Sequence, residues 1–241
     1  MFLLWGLVLE NLIESKTLHD VLKGKRVGYY LGSFDPLHLG HEAFVEEVLK
    51  EDLCDYVLIY PIWGGDKYKN RTNIDVRLDM LFAAFEKHPN SIVTRLCPIE
   101  LQDVLMTSSK GDSMETKISG VSYIGLIGSD TVANPLIPEN ARKEMMRGTK
   151  ISSEDSSNTR GCFMIFPIES FIIGKRINDS EEDLKNLGGQ FGGRRILGIV
   201  PTQFDSVSST EIRERLKNGK SIDKLINPNV KSVIEARQLY R

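Results

Sequence analysis

Ten residues at the end of an apolar run carry the densest chemistry in this 241-residue chain: Gly32-Ser33-Phe34-Asp35-Pro36-Leu37-His38-Leu39-Gly40-His41. Two of the four histidines fall here, three positions apart. Val27–Leu31 is rich in β-branched and aromatic residues and stops at Gly32, which reads as a strand followed by a turn. Phe44, Val45, Val48 and Leu49 then read as the apolar stripe of a helix. A passage from strand through glycine turn to helix start presents free backbone N–H groups and the positive end of the helix dipole. Such a junction is a ready anion site. His38 and His41 lie on one side of the first helical turn, and each can donate to an anion there, protonated or neutral. Gly40 between them lets a ligand come close to the backbone. The bland alternative, two surface histidines flanking a turn, is the weaker reading because half the histidines of the chain gather here.

The elements that must position this stretch can be read in order. Tyr56–Tyr60 is a continuous apolar run and reads as a buried parallel strand. Pro61 follows, and then a loop through Trp63, Gly64 and Gly65 that carries Lys67 and Lys69. Asn73–Lys87 reads as a helix with Thr72 or Asn73 as its cap, Leu78, Leu81, Phe82 and Phe85 as its stripe, and Pro89 as the stop. Ser91–Leu96 and Val121–Ile127 are further strands, the latter ending in Gly128-Ser129-Asp130. Phe163–Phe166 and Phe171–Ile173 are strand-like and run into Lys175-Arg176, and Ile196–Val200 is the last strand. Ser208 and Glu211 have capping-box spacing ahead of a helix through Leu216. The stretches 107–114, 152–161 and 179–193 read as polar or glycine-rich loops. This alternation predicts a Rossmann-like three-layer α/β/α fold with a mostly parallel sheet, whose ligands bind beyond the carboxyl ends of the strands. The loops that follow Val27–Leu31 and Tyr56–Tyr60 lie at such ends.

Composition narrows the function classes. Thirty-one basic against 33 acidic residues leave a net charge of −2, which does not suit a nucleic-acid binder. Cys54, Cys97 and Cys162 are scattered and odd in number, so a disulfide framework or zinc site is not expected, and a reducing, cytoplasmic setting fits. The apolar start, MFLLWGLVLENLI, is too short to span a bilayer and lacks the basic flank and cleavage site of a signal peptide. It reads as an extra helix from Phe2 to about Leu22, an extension over residues 1–24 ahead of a domain over 25–241. Its Leu/Val face would dock on that domain or on a partner subunit in a homo-oligomer.

The ten-residue stretch resembles the H-x-G-H signature of the nucleotidylyltransferase superfamily. Its Phe-Asp-Pro form is most similar to bacterial nicotinate or nicotinamide mononucleotide adenylyltransferases. Ser208-Ser209-Thr210-Glu211-Ile212-Arg213 resembles the second signature of that superfamily, Ser-Ser-Thr-x-Ile-Arg. Arg77-Leu78-Asp79-Met80 is similar to its Arg-Leu-x-Met helix, Gly128-Ser129-Asp130 to its Gly-x-Asp, and Arg176 to an arginine that closes a strand. The tail from Pro228 through Val230 to Tyr240 resembles its closing helix. The Ser-Tyr-Thr motif that meets the pyridine mononucleotide is missing between Leu96 and Gly120, where Glu100 stands as the acidic position. The resemblance implies adenylyl transfer from ATP, carried with Mg²⁺, to a mononucleotide, with release of pyrophosphate. The same fold with another phosphorylated acceptor, or with CTP, is the alternative. His38 and His41 would meet the α- and β-phosphates, with Arg213 and either Lys67 or Lys69 as clamps. Gly32, Ser33, Phe34, Gly40, Arg77, Gly128, Asp130, Arg176, Ser208, Ser209 and Thr210 would line the nucleotide site. No protein metal site, nucleic acid or membrane partner is implied.

Overall fold

The chain is described by a computed structural model over residues 15–63, 71–108, 114–132, 168–186 and 195–241. Helices and strands below are numbered within those residues. The expectations for residues 2–14, for Lys67 and Lys69, for the loop 152–161, for the strand Phe163–Phe166 and for residues 109–113 and 187–193 of the loops 107–114 and 179–193 lie outside them.

Six strands form one parallel sheet: β1 (Arg26–Gly32), β2 (Tyr56–Pro61), β3 (Ser91–Val93), β6 (Ser122–Gly128), β7 (Ile168–Lys175) and β8 (Arg195–Pro201), in the order β3-β2-β1-β6-β7-β8. The order runs outward from β1 on one side and from β6 on the other, so the switch point lies between β1 and β6. A ligand crevice is expected beyond the carboxyl ends of those two strands. Their register, Val27 opposite Tyr56 and Tyr123, brings Gly32, Pro61 and Gly128 to one edge of the sheet.

Side chains alternate between the two faces, as the pleat requires. Tyr30, Val57, Ile59, Ile124, Leu126 and Ile172 point into a core shared with α2 (Leu39–Lys50), α3 (Ile74–Phe85), α7 (Ser209–Lys217) and α8 (Pro228–Ala236). Tyr29, Leu31, Leu58, Tyr60, Tyr123, Phe171 and Ile173 point the other way. There they meet α1 (Ser15–Leu22), α4 (Pro98–Leu105) and α6 (Glu181–Asn186), through Leu18, Leu22, Leu101, Leu105 and Leu184. Helices on both faces make the three-layer architecture expected from the alternation.

Three local expectations change. The strand from Ser91 ends at Val93. The two described ends of the stretch 107–114 belong to a small antiparallel pair, β4 (Met106–Ser108) with β5 (Met114–Thr116), beside the buried Met106 and Ile118. Within 179–193, Glu181–Asn186 is helical because Leu184 finds a buried seat. In the last two cases packing overrides a polar local sequence. Glu100 also has a local task, since its Oε2 accepts from the Cys97 N–H (2.8 Å) at the start of α4.

The described part of the N-terminal helix docks on the domain itself. Leu18 and Leu22 are buried beside Leu101, Leu105, Met106 and Ile118, and the His19 ring bonds the Val104 carbonyl (2.8 Å). Leu22 is 1% exposed, so Leu22→Ala should leave a cavity and cost about 2–5 kcal/mol. Thermal unfolding should show a midpoint lowered by at least about 5 °C; an unchanged midpoint would mean that α1 contributes nothing to this core.

Candidate active site

The loop between β1 and α2 is held by its own histidines. His38 is the N-cap of α2, with extended backbone angles, and its Nδ1 accepts from the Gly40 N–H at 3.1 Å. His41, at the third helical position, returns the bond: its Nδ1 accepts from the His38 N–H at 3.3 Å. The pair is a capping box built from two imidazoles. The two rings stack with centroids 3.7 Å apart.

That geometry decides the tautomer. A ring nitrogen that accepts from a backbone N–H carries no proton, so a neutral His38 or His41 holds its proton on Nε2. Burial first, and then the Arg176 charge, push His38 down to about 3. Burial, the neighbouring His38 and Arg176 hold His41 well below its ordinary value. The unliganded site therefore presents two neutral imidazoles, each with one Nε2–H donor.

The second signature is fastened to this loop. Ser209 Oγ donates to the Pro36 carbonyl (2.9 Å) and Arg213 Nη1 to the Asp35 carbonyl (2.6 Å). Ser208 caps α7 by accepting from the Glu211 N–H (3.2 Å), and Thr210 Oγ1 accepts from Arg213 Nη2 (3.1 Å). The two signatures, about 170 residues apart, thus form one structure in which the N-termini of α2 and α7 adjoin. The three hydroxyls expected to converge on an anion divide their work. Ser209 ties the loops, whereas Ser208 and Thr210 act here as acceptors and retain an O–H to donate.

The other edge of the crevice is built from β6 and β7. Arg176, just after β7, donates from Nη1 to the carbonyls of Val207 (2.7 Å) and Asp205 (3.2 Å), and from Nη2 to Asp130 Oδ2 (3.2 Å). It fixes the approach to α7 and holds Asp130, whose side chain stays 60% exposed. At Gly128 a Cβ would stand 2.5 Å from Asp130 Oδ1, so only glycine lets that carboxylate fold over the strand end.

Three expected contacts take different roles. Arg77 is 2% exposed, and neither a surface salt bridge nor an open ligand contact describes it. It donates to the carbonyls of Thr72 (2.9 Å), Ser33 (2.9 Å) and Ile62 (2.7 Å), bracing the β1–α2 loop from below. Phe34, 1% exposed, packs its ring on Gly32 and edge-on to His41, with centroids 5.1 Å apart. Gly40 is needed less for a ligand than for protein packing: a Cβ there would lie 2.7 Å from the Phe204 carbonyl. Ser33 Oγ accepts from Arg71 Nε (3.0 Å) at the crevice. Lys67 and Lys69 are outside the described residues.

The structure also brings in residues that pattern reading did not assign. Glu42 is 9% exposed and accepts from Asn227 Nδ2 (2.8 Å), joining α2 to the cap of α8, and burial raises its pKa. The carboxylate of Asp35, 6% exposed, accepts from the Thr72 N–H (2.9 Å) and from the Tyr240 hydroxyl. Asp35 stood inside the recognisable decapeptide, but nothing local marked its partners.

Two adjoining helix N-termini, neutral imidazole N–H donors, free hydroxyls and arginines suit a polyanion such as a triphosphate. Among the described residues no group of three or more His, Cys, Asp or Glu is placed to hold a metal ion. None of the described helices is long and apolar enough to cross a membrane.

Comparison with known proteins agrees with this arrangement. The family described as cytidylyltransferase-like matches residues 29–215. A probable nicotinate-nucleotide adenylyltransferase of Fusobacterium nucleatum is 26% identical over 219 residues, covering 87% of this chain and 97% of that protein. One from Rubrobacter xylanophilus is 26% identical over 220 residues, covering 90% and 92%. The Plasmodium falciparum nicotinic acid mononucleotide adenylyltransferase, solved in complex with NaAD, shares the fold with a TM-score of 0.59 at 16% identity, over 90% of this chain and 97% of that one.

The buried histidines make stability depend on pH. Above about pH 6.5 they are neutral in both folded and unfolded chains, and their full contribution is present. As pH falls below the unfolded value of 6.5, the unfolded chain gains protons while folded His38 stays neutral down to about 3, so stability is lost across that window. At pH 5 the loss is on the order of 2 kcal/mol for His38. His38→Asn keeps a capping acceptor without the titration. Urea unfolding at pH 7.5 and pH 5 should show a smaller difference for this variant than for the parent protein.

Proposed function

Because the chain belongs to the cytidylyltransferase-like family, we propose that it is a nucleotidyltransferase that moves AMP from ATP to nicotinate mononucleotide, releasing pyrophosphate, in NAD biosynthesis. The observation that carries this reading is the junction of the two signature loops, where Ser209 and Arg213 bond the carbonyls of Pro36 and Asp35. It brings two helix N-termini together beside two histidines. The choice of adenylyl transfer and of the pyridine acceptor follows the relatives, which are named nicotinate-nucleotide adenylyltransferases.

In the reaction a phosphate oxygen of the mononucleotide attacks the α-phosphorus of ATP in line. The new P–O bond forms as the bond from the α-phosphorus to the bridging oxygen breaks, and pyrophosphate leaves with that electron pair. No protein nucleophile is required, so the protein contributes position and charge. Mg²⁺ enters as part of the Mg·ATP substrate, borne by the phosphates. We assign the Nε2–H donors of His38 and His41 to the α- and β-phosphate oxygens, where charge grows in the transition state. Neutral donors in the free site become better proton holders once the polyanion arrives, because a nearby negative charge raises an imidazole pKa. The remaining N–H groups of Arg213, the hydroxyls of Ser208 and Thr210, and either Lys67 or Lys69 hold the β- and γ-phosphates. Asp130 is assigned to accept from ribose hydroxyls.

Pyrophosphate release with Mg·ATP should appear with nicotinate mononucleotide and be absent with CTP as donor. His41→Ala should lower kcat by at least about a hundredfold, the scale for losing one donor to developing charge, with the fold retained by circular dichroism. Parent protein that binds ATP without turnover on nicotinate or nicotinamide mononucleotide would refute the assigned acceptor. A folded His41→Ala variant near the parent rate would refute the histidine role.

A further inference from the structure

We propose that Tyr240 is a positioning residue that latches the histidine-bearing loop through the carboxylate of Asp35, an inference that rests on the reading of that loop as the ATP site. Three segments distant in sequence meet at this carboxylate. Its Oδ1 accepts from the Tyr240 hydroxyl and its Oδ2 from the Thr72 N–H (2.9 Å), while Thr72 Oγ1 donates to the Tyr240 oxygen (3.3 Å). Asp35 belongs to the first signature, Thr72 to the segment entering α3, and Tyr240 to the segment leaving α8.

Two further observations give the contact its meaning. Arg213 reaches Asp35 at the backbone carbonyl, at 2.6 Å. With the carboxylate held by Tyr240 and Thr72, that guanidinium keeps its charge for an anionic ligand. A loosened Asp35 carboxylate would compete for it, since carboxylate and guanidinium pair strongly. The backbone around the latch is also strained. Gln238 (φ 52°) and Tyr240 (φ 61°) both lie in the left-handed region that non-glycine residues avoid. Strain of this kind persists where the surroundings hold it, and the buried hydroxyl contact is what the turn achieves. Burial and the Asp35 charge also keep the phenol in its protonated, donating form.

Tyr240→Phe retains the ring and removes only the hydroxyl. Hydrogen–deuterium exchange of the ATP-free protein should show faster exchange at amides of residues 33–41 and 71–73, with α8 unchanged. kcat/KM for ATP should fall by about tenfold to a hundredfold, the scale of one hydrogen bond to a charged group, while KM for nicotinate mononucleotide stays within twofold. A merely structural role would instead lower the melting midpoint and disturb both substrates alike, and that result would overturn the proposal. So would unchanged exchange at residues 33–41, or kcat/KM for ATP within twofold of the parent. Should Tyr240→Phe fail to fold, Asp35→Asn removes the charge that the Tyr240 hydroxyl bonds and is read in the same way. The exchange measurement needs no turnover. If the parent protein proved inactive on every pyridine mononucleotide, the functional reading would fall while the latch was still decided.

Discussion

Two helix N-termini face the same crevice, and their dipoles place like partial charges side by side. Everything at the active site depends on how that arrangement is held. Left alone, the starts of α2 and α7 would repel, and their unpaired N–H groups would seek water. His38 Nδ1 and Ser208 Oγ accept from the N–H groups of Gly40 and Glu211, and the β1–α2 loop ties the two starts together: the carbonyl of Pro36 takes the Ser209 hydroxyl and the carbonyl of Asp35 takes Arg213. Arg77, buried beneath, fixes the same loop by donating to Ser33. Helix N-termini held together in this way favour a negatively charged group beside them. Transition-state charge stabilisation then needs little rearrangement.

The histidines extend the same logic. Using Nδ1 of both rings as capping acceptors orders the imidazoles without a carboxylate partner. It leaves each Nε2–H as the donor. Burial lowers their basicity, so the apo site carries no added positive charge there to worsen the repulsion between helix ends. Phe34 stands edge-on to His41 and to Tyr30, and Tyr30 lies tilted against His41, so the two aromatic rings back that side of the stack.

The sheet explains why these loops meet. Strand order reverses between β1 and β6, so the chain departs from the same edge at Gly32 and Gly128 and returns beside them after β8. The insertions stand away from this line. The pair β4 and β5 and the helix α1 pack on the face opposite α2, where Leu22, Leu105 and Ile118 share a core. The missing Ser-Tyr-Thr motif falls in that region, so the two faces of the sheet differ in how far they follow the resemblance.

By itself the sequence determined the alternation of strands and helices, the parallel sheet and the two signatures, because each is written in short-range pattern. Apolar runs of strand length, glycine turns and hydroxyl caps read locally. Tertiary structure alone decided what those residues bond. Arg77 reads as a residue lining the nucleotide site, yet its guanidinium is buried against three carbonyls from two separate loops. Gly40 reads as room for a ligand, whereas the neighbour that demands it is the Phe204 carbonyl, 164 residues away. Asp35 and Tyr240 meet across 205 residues. Their partnership leaves no periodic trace, because a hydrogen bond between loops constrains two residue types and nothing in between. Hydrophobic period is a property of a segment, and so the fold is legible in sequence. The wiring of a polar site belongs to segments that only folding brings together.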